Sequence, residues 1–221
     1  MKTVIFDLDG TLADTSGDLI AAANVCFRNG GYGNLLDHAT DKATALKGGR
    51  AMLRLGFERA HGQADEDEVD RWYAPFLVAY GDNIDTHTRL YPGAEAAVGQ
   101  LLEQGYFVGI CTNKPEGLAE TLMSRLGVRD LFASLVGADT LPVKKPDAAP
   151  FVAAVTRAGG HVASSLLVGD TATDRNTARA AGVPSLLVTF GPDGDDVRAL
   201  RPEGLLESYD VLLPRVKSLI G

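Results

Sequence analysis

Short apolar runs alternate with amphipathic stretches along most of the chain, and this alternation predicts strands and helices. The apolar runs that predict buried strands lie at 3–8, 106–111, 135–137, 166–168 and 185–190. Helical patterns fill the stretches at 93–104, 115–126, 148–158 and 173–181. Strands that alternate with helices are typical of a parallel sheet covered on both faces, so we predict a Rossmann-like α/β domain.

The interval 14–85 breaks this alternation. Helical patterns dominate there, at 19–27, 43–60 and 65–80, and no convincing strand occurs. The acids within 64–70 lie at the start of the last of these stretches, as is common at a helix N-terminus. We therefore predict an all-helical cap domain at 14–85, inserted into an α/β core domain made of residues 1–13 and 86–221.

Composition narrows the function classes. The 221 residues carry a net charge of -8, so we expect no broad basic surface and no nucleic-acid partner. Cys26 and Cys111 have no metal or redox spacing, so we expect reduced, mostly buried thiols. No apolar run is long enough for a signal peptide or a membrane span, so we expect a soluble cytoplasmic protein with no membrane partner.

The first predicted strand ends in two carboxylates, within the segment DLDGTL at 7–12. Asp7 and Asp9 would share a face if the strand were regular, and they lie where open α/β sheets bind ligands. Gly10 allows the backbone to turn and present its N–H to an anion. By itself, however, an Asp-Gly pair after a strand is more often a simple turn.

Two further polar segments carry potential phosphate ligands. The segment CTNK at 111–114 follows the second strand, and Thr112 and Asn113 can donate hydrogen bonds to phosphate oxygens. The segment KKPD at 144–147 places two lysines in a loop. Each alone has a simpler explanation, a helix N-cap for the first and a solvated loop for the second.

A fourth segment, GDTATD at 169–174, adds two more acids after a strand. Asp170 ends the strand and Asp174 follows one helical turn later on the same side. Two carboxylates about 4 Å apart repel by roughly 4 kcal/mol at an effective dielectric of 20, so acids that converge from these segments need a cation. Oxygen ligands favour Mg²⁺.

Taken in order, these four segments resemble the haloacid dehalogenase-like hydrolase superfamily. The resemblance is to its phosphatases with a helical cap inserted after the first strand, and most of all to phosphoglycolate phosphatase-like members. It covers essentially the whole chain. Two departures are Thr171, where Ser is common, and Ala148, where a second proline is frequent.

The resemblance implies a Mg²⁺-dependent phosphatase that acts on a small phosphorylated metabolite. It implies that Asp7 is the nucleophile that forms an aspartyl-phosphate, and that Asp9 is first the general acid and then the general base. Lys145, rather than Lys144, would stabilise the charge on Asp7 and on the transferring group. The remaining implied roles are phosphate binding by Gly10, Thr112, Asn113 and Lys145, and metal binding by Asp7, the Asp9 backbone carbonyl, Asp170 and Asp174.

Substrate choice is expected to lie in the cap. The segment LKGGR at 46–50 joins two helical stretches and is glycine-rich and basic. We hypothesise that Arg50 or Lys47 enters the site and pairs with a carboxylate of the leaving group.

Two alternative functions stay open at this stage. A phosphosugar mutase of the same fold would isomerise its substrate rather than release phosphate. A phospho-aspartate receiver module also phosphorylates an Asp in a parallel α/β sheet, but it lacks a helical insertion after the first strand. The sequence also leaves open whether the protein is a monomer or a homodimer.

Overall fold

The structure, a computed structural model, describes residues 2–221 and divides the chain into two compact units. One unit comprises Met1–Ala13 with Leu90–Gly221, and the other comprises Asp14–Arg89. The chain therefore returns to the first unit between Arg89 and Leu90, four residues later than the boundary we predicted at 85/86. The reason is Asp18, whose carboxylate accepts hydrogen bonds from the backbone N–H groups of His87 and Thr88 at 2.8 Å and ties this segment to the helical unit.

The chain forms eight strands and nine α-helices within residues 2–221. The strands are β1 Thr3–Phe6, β2 Ala13–Asp14, β3 Arg89–Leu90, β4 Phe107–Cys111, β5 Ser134–Val136, β6 Ser165–Gly169, β7 Ser185–Val188 and β8 Gly204–Leu206. The helices are α1 Ser16–Asn29, α2 His38–Ala45, α3 Gly49–His61, α4 Glu66–Asp82, α5 Ala94–Glu103, α6 Glu116–Arg125, α7 Ala148–Arg157, α8 Ala172–Ala181 and α9 Leu212–Ile220. Short 3-10 helices occur at Arg129–Leu131, Val162–Ser164, Gly194–Leu200 and Tyr209–Val211.

The first unit contains a six-stranded sheet in the order β5-β4-β1-β6-β7-β8. All five strand pairs are parallel, and Phe6 lies opposite Ile110 on one side and Val168 on the other. This topology confirms the predicted α/β fold. Strand β8 and helix α9 extend it beyond the last element that the apolar pattern predicted.

The core of this unit explains why β1 is uniformly apolar. All four residues of β1 are buried, as expected for a central parallel strand. Ile5 and Leu167 pack with Phe151 of α7 and Ala178 of α8 in one cluster. Because strand side chains alternate, Val4 and Phe6 fill the opposite face of the sheet. The central strands are therefore fixed on both faces, which holds the segments at their C-terminal ends.

The helical unit is built from α1 to α4. Its core includes Phe27 and Phe57, whose rings meet edge to face with centroids 5.4 Å apart. Gly56 allows this approach, because a Cβ there would lie 2.1 Å from Phe27 Cζ. Asp37 and Asp65 cap α2 and α4 by accepting backbone N–H groups of their first turns.

None of the helices in residues 2–221 combines the length and the apolar character needed to cross a bilayer.

Candidate active site

Three acidic side chains meet at the C-terminal edge of the sheet. Asp7 follows β1 and Asp170 follows β6, and the Asp7 N–H donates to the Val168 carbonyl at 2.8 Å, which keeps the two strand ends adjacent. Asp174 lies in the first turn of α8. One carboxylate oxygen from each residue lies within 4.8 Å of the other two. We call Asp7, Asp170 and Asp174 the carboxylate cluster.

Asp170 is held on one side by Thr11. The Thr11 hydroxyl donates to Asp170 Oδ1 at 2.9 Å, and both residues are buried. Asp170 Oδ2 is buried and has no hydrogen-bond partner among the described residues. An orphaned carboxylate oxygen costs free energy, so a ligand at Oδ2 would relieve it.

Gly10 supplies the space beside that orphaned oxygen. Its φ is +81°, and a Cβ at this position would lie 2.4 Å from Asp170 Oδ2. The structure corrects our prediction for its backbone, however. The Gly10 N–H donates to the Ala13 carbonyl at 2.9 Å and is therefore not directed at an anion, because the loop after Asp9 folds back on itself. The contribution of Gly10 to the site is steric.

Asp174 is engaged through both carboxylate oxygens. Its Oδ2 accepts from the Thr171 hydroxyl at 2.8 Å and from the backbone N–H groups of Thr171 and Asp170 at 3.1 and 3.2 Å. Its Oδ1 accepts from Lys145 Nζ at 2.7 Å. Thr171 thus makes the hydroxyl contact that a serine at this position would also make.

Lys145 places one positive charge against the cluster. Its side chain is only 1% exposed, and its Nζ lies 2.9 Å from Asp7 Oδ1, an ion-pair contact that falls outside hydrogen-bond geometry. Burial alone would lower the pKa of Lys145, but the carboxylates of Asp174 and Asp7 outweigh it and hold that pKa above its usual range. Lys145 therefore stays charged.

One lysine does not balance the charge of three carboxylates. Burial raises the pKa of Asp7 to about 6 against the opposing charge of Lys145. Burial, and then the charges of Asp174 and Asp7, raise the pKa of Asp170 well above its usual value. The site therefore has the properties that a hard divalent cation such as Mg²⁺ requires. It carries excess negative charge, its ligand atoms are all oxygens, and Asp170 Oδ2 has no hydrogen-bond partner among the described residues.

Asp9 is not a member of the carboxylate cluster and is paired with a lysine that sequence reasoning missed. Lys114 Nζ lies 2.9 and 3.1 Å from the two carboxylate oxygens of Asp9. Strand β1 ends at Phe6, so the strand alternation that we applied to Asp7 and Asp9 does not reach them. The metal role predicted for Asp9 therefore depends on its backbone carbonyl. Lys114 carried one signal in the sequence, its place in the CTNK segment after β4.

Thr112 and Asn113 shape the loop after β4. The Thr112 hydroxyl oxygen accepts from the Lys114 N–H at 3.2 Å, which leaves its own hydrogen to donate. Asn113 Nδ2 donates to the Lys145 carbonyl at 3.0 Å and so joins this loop to the one that carries Lys145. One of the Asn113 amide hydrogens is therefore already used within the protein.

Lys47 and Arg50 belong to the helical unit. Lys47 lies exposed in the turn between α2 and α3. Arg50 forms an ion pair with Asp70, and its guanidinium carbon lies 4.5 Å from the centroid of the Tyr73 ring. Within its unit, Arg50 is thus held against α4.

Comparison with known proteins identifies a family and several relatives. The sequence pattern of the haloacid dehalogenase-like hydrolases matches residues 4–188. A phosphoglycolate phosphatase of Mesorhizobium japonicum is 37% identical over 209 residues, which cover 95% of this chain and 92% of the relative. A second, from Agrobacterium fabrum, is 35% identical over 212 residues, with 95% and 90% covered.

A solved structure shares the whole fold. The crystal structure of a predicted phosphoglycolate phosphatase from Haemophilus somnus 129PT superposes with a TM-score of 0.84 and 25% identity, and 97% of each chain is covered. The family match and the named relatives identify a hydrolase that acts on phosphoric monoesters. The chain belongs to the haloacid dehalogenase-like hydrolase family.

Proposed function

We propose that this protein is a Mg²⁺-dependent phosphatase that hydrolyses a phosphoglycolate-type phosphomonoester through an aspartyl-phosphate on Asp7. The observation that carries the proposal is the carboxylate cluster with Lys145 beside it. Within the cluster, the Asp7 side chain is 13% exposed, whereas Asp170 and Asp174 are at most 1% exposed. Asp7 can thus reach a substrate while the other two stay behind it.

The cation would be held by Asp7, Asp170 and the Asp9 backbone carbonyl, with Asp174 ligating it directly or through water. Bound Mg²⁺ supplies charge neutralisation for the phosphoryl oxygens and lets an anionic substrate approach anionic side chains. Because both Asp174 oxygens already accept hydrogen bonds in the structure, contact through water is the simpler arrangement for this residue.

In the first half-reaction an Asp7 carboxylate oxygen attacks phosphorus, and the bond between phosphorus and the ester oxygen breaks. Asp9 gives its proton to the departing oxygen, which leaves as an alcohol. In the second half-reaction Asp9 takes a proton from water, and that water attacks the phosphorus of the aspartyl-phosphate. Inorganic phosphate leaves and the Asp7 carboxylate is restored.

Two lysines support these steps. Lys145 stabilises negative charge on Asp7 and on the transferring group, because its buried ammonium lies 2.9 Å from Asp7 Oδ1. Lys114 holds the Asp9 carboxylate by contacts to both of its oxygens. The Thr112 hydroxyl and the second Asn113 amide hydrogen are the donors that we assign to the phosphate oxygens.

The proposed substrate class is supported by the relatives, which are named phosphoglycolate phosphatases. Such a substrate carries a carboxylate besides its phosphate, and we assign recognition of that carboxylate to Arg50 or Lys47. Bidentate pairing with a guanidinium would make Arg50 the stronger of the two.

The direct test is a screen for Mg²⁺-dependent phosphate release from small phosphorylated metabolites, with 2-phosphoglycolate included and Asp7→Asn as the control. We expect release from 2-phosphoglycolate that disappears with chelator and in Asp7→Asn. Isomerised sugar phosphate without free phosphate would instead indicate a mutase. Phosphorylation of Asp7 without turnover would indicate a receiver module.

A further inference from the structure

A buried tyrosine near the C-terminus contacts the loop that carries the candidate nucleophile. Tyr209 begins the 3-10 helix Tyr209–Val211 and is 2% exposed. Its hydroxyl donates to the Thr11 carbonyl at 2.8 Å. The region that matches the family pattern ends at residue 188, so Tyr209 lies outside it. This hydrogen bond joins the C-terminal segment to the loop after β1.

Thr11 connects Tyr209 to the carboxylate cluster. Its carbonyl accepts from Tyr209, and its hydroxyl donates to Asp170 Oδ1 at 2.9 Å. The surrounding loop is tight, because the Leu8 carbonyl accepts from the N–H groups of Leu12 and Ala13 at 3.0 and 3.1 Å. In so short a turn, a shift of the Thr11 peptide moves its hydroxyl as well.

The ring of Tyr209 reaches a second loop that borders Asp170. Its centroid lies 5.4 Å from that of Phe190, which precedes Gly191. A Cβ on Gly191 would lie 3.0 Å from Asp170 Cβ and 3.0 Å from the Gly10 carbonyl oxygen, so this backbone packs directly on the site. Tyr209 thus touches both loops that enclose Asp170.

We propose that Tyr209 is a positioning residue of the metal site, which holds Thr11 so that the Thr11 hydroxyl fixes Asp170 Oδ1 and leaves Oδ2 for the cation. This inference rests on the proposed function. Phenylalanine would fill the same space, and a buried hydroxyl is costly unless it is paired. The Tyr209 hydroxyl is paired with the Thr11 carbonyl, so Thr11 is the group through which it would act. Burial raises the pKa of Tyr209 well above its usual value, so it remains a neutral donor.

The test compares Tyr209→Phe with a matched control. Tyr209→Phe keeps the ring and removes the hydroxyl. Ser134→Ala removes another buried hydroxyl-to-carbonyl hydrogen bond, from Ser134 Oγ to the Ala154 carbonyl at 2.7 Å, away from these loops. Magnesium binding to each full-length protein is measured by calorimetry without substrate, and kcat and KM are measured at saturating Mg²⁺.

We expect Tyr209→Phe to raise the Mg²⁺ dissociation constant about tenfold, the scale on which outer partners of metal ligands act. We expect the substrate KM at saturating Mg²⁺ to stay unchanged, and Ser134→Ala to bind Mg²⁺ as the wild type does. Thr11→Val should weaken binding too. Adding Tyr209→Phe to Thr11→Val should then weaken it little further, because Tyr209 acts through Thr11.

Several results would overturn the inference. Tyr209→Phe with the Mg²⁺ dissociation constant of the wild type would do so, and so would equal weakening by Ser134→Ala or effects that multiply in the double variant. If the wild type binds Mg²⁺ and releases phosphate while Tyr209→Phe is unaffected, the role of Tyr209 alone fails. If the wild type binds no Mg²⁺ and releases no phosphate, the proposed function fails and the role of Tyr209 fails with it.

Discussion

The ammonium nitrogen of Lys114 lies 2.9 Å from one carboxylate oxygen of Asp9 and 3.1 Å from the other, and its side chain is 4% exposed. This ion pair joins the loop after β4 to the loop after β1. It fixes the direction of the carboxyl group to which we assign proton transfer. Lys114 therefore belongs to the proposed catalytic apparatus through Asp9.

Lys114→Met should slow the enzyme in a way that depends on the leaving group. With 2-phosphoglycolate, whose leaving oxygen needs a proton, we expect kcat to fall roughly 100-fold, within the usual range for general acid catalysis. With p-nitrophenyl phosphate, whose phenolate leaves without a proton, the loss should be much smaller. Steady-state kinetics on both substrates measure this. The exposed Lys144→Met is the control, and equal losses on the two substrates would contradict the assignment.

Lys145→Met should destabilise the metal-free protein. It leaves three neighbouring carboxylates without the buried lysine that neutralises them. Breaking a buried ion pair costs about 3 kcal/mol or more of the free energy of unfolding. Added Mg²⁺ should restore part of that loss, because the cation supplies the missing charge. Urea unfolding with and without Mg²⁺ measures both effects. For the neighbouring exposed Lys144→Met we expect a change below about 0.5 kcal/mol, and a similar change for Lys145→Met would refute the expectation.

Gly10→Ala separates steric fit from backbone strain. Gly10 and Gly105 have φ of +81° and +77°, so alanine at either position adds similar strain, about 1–2 kcal/mol. Only at Gly10 would the new Cβ meet Asp170 Oδ2, whereas nothing lies within 4 Å of a Cβ at Gly105. We expect Gly10→Ala to lose measurable Mg²⁺ binding by calorimetry and Gly105→Ala to keep it. Retained binding in both would argue against a cation at Asp170.

The stability of the helical unit should depend on pH through Asp41. Arg59 donates to both Asp41 oxygens at 2.7 Å and holds the pKa of Asp41 below its usual value. A depressed folded-state pKa adds stability above the unfolded-state pKa of about 3.9, and this stability is lost as the pH falls through the folded-state pKa. Because the Arg59 side chain is 40% exposed, solvent screens the pair, and we expect only about 1 kcal/mol.

The comparison is Asp41→Asn against the wild type by urea unfolding at pH 7 and at successively lower pH. The difference in the free energy of unfolding should be largest at pH 7 and should shrink below about pH 4, where the wild-type carboxylate also becomes protonated. A difference that stays constant with pH would show that the ion pair is not its source.

Arg50→Ala tests carboxylate recognition. We expect the KM for 2-phosphoglycolate to rise about tenfold or more and the KM for p-nitrophenyl phosphate, which has no carboxylate, to change little. Arg50 also pairs with Asp70, so Asp70→Asn controls for loss of that contact. If Arg50→Ala raises both KM values equally, or if Asp70→Asn reproduces its effect, Arg50 does not recognise the carboxylate of the substrate.

The sheet and the carboxylates at its strand ends could be predicted because both depend on local pattern. An apolar run bounded by a polar residue marks a buried parallel strand, and parallel strands end at one edge. That reasoning placed Asp7 and Asp170 near each other, and the structure brings them into one cluster.

The contacts that link distant segments could not be predicted from the pattern of apolar and polar residues. Lys114 and Asp9 are 105 residues apart, and Tyr209 and Thr11 are 198 apart, so no periodicity relates them. The hydrogen bond from the Gly10 N–H to the Ala13 carbonyl could not be predicted for a different reason. A tight loop closes around Ala13, and the direction of its hydrogen bonds depends on φ and ψ values that composition does not determine.

The most direct test of the central claim is to identify the residue that carries the phosphoryl group. Rapid quenching during turnover of 2-phosphoglycolate with Mg²⁺, followed by borohydride, reduces an aspartyl-phosphate to homoserine, which peptide mass spectrometry locates. We predict homoserine at position 7, dependent on substrate and Mg²⁺ and absent from Asp7→Asn. Homoserine at another aspartate, or phosphate release by Asp7→Asn at the wild-type rate, would contradict the account.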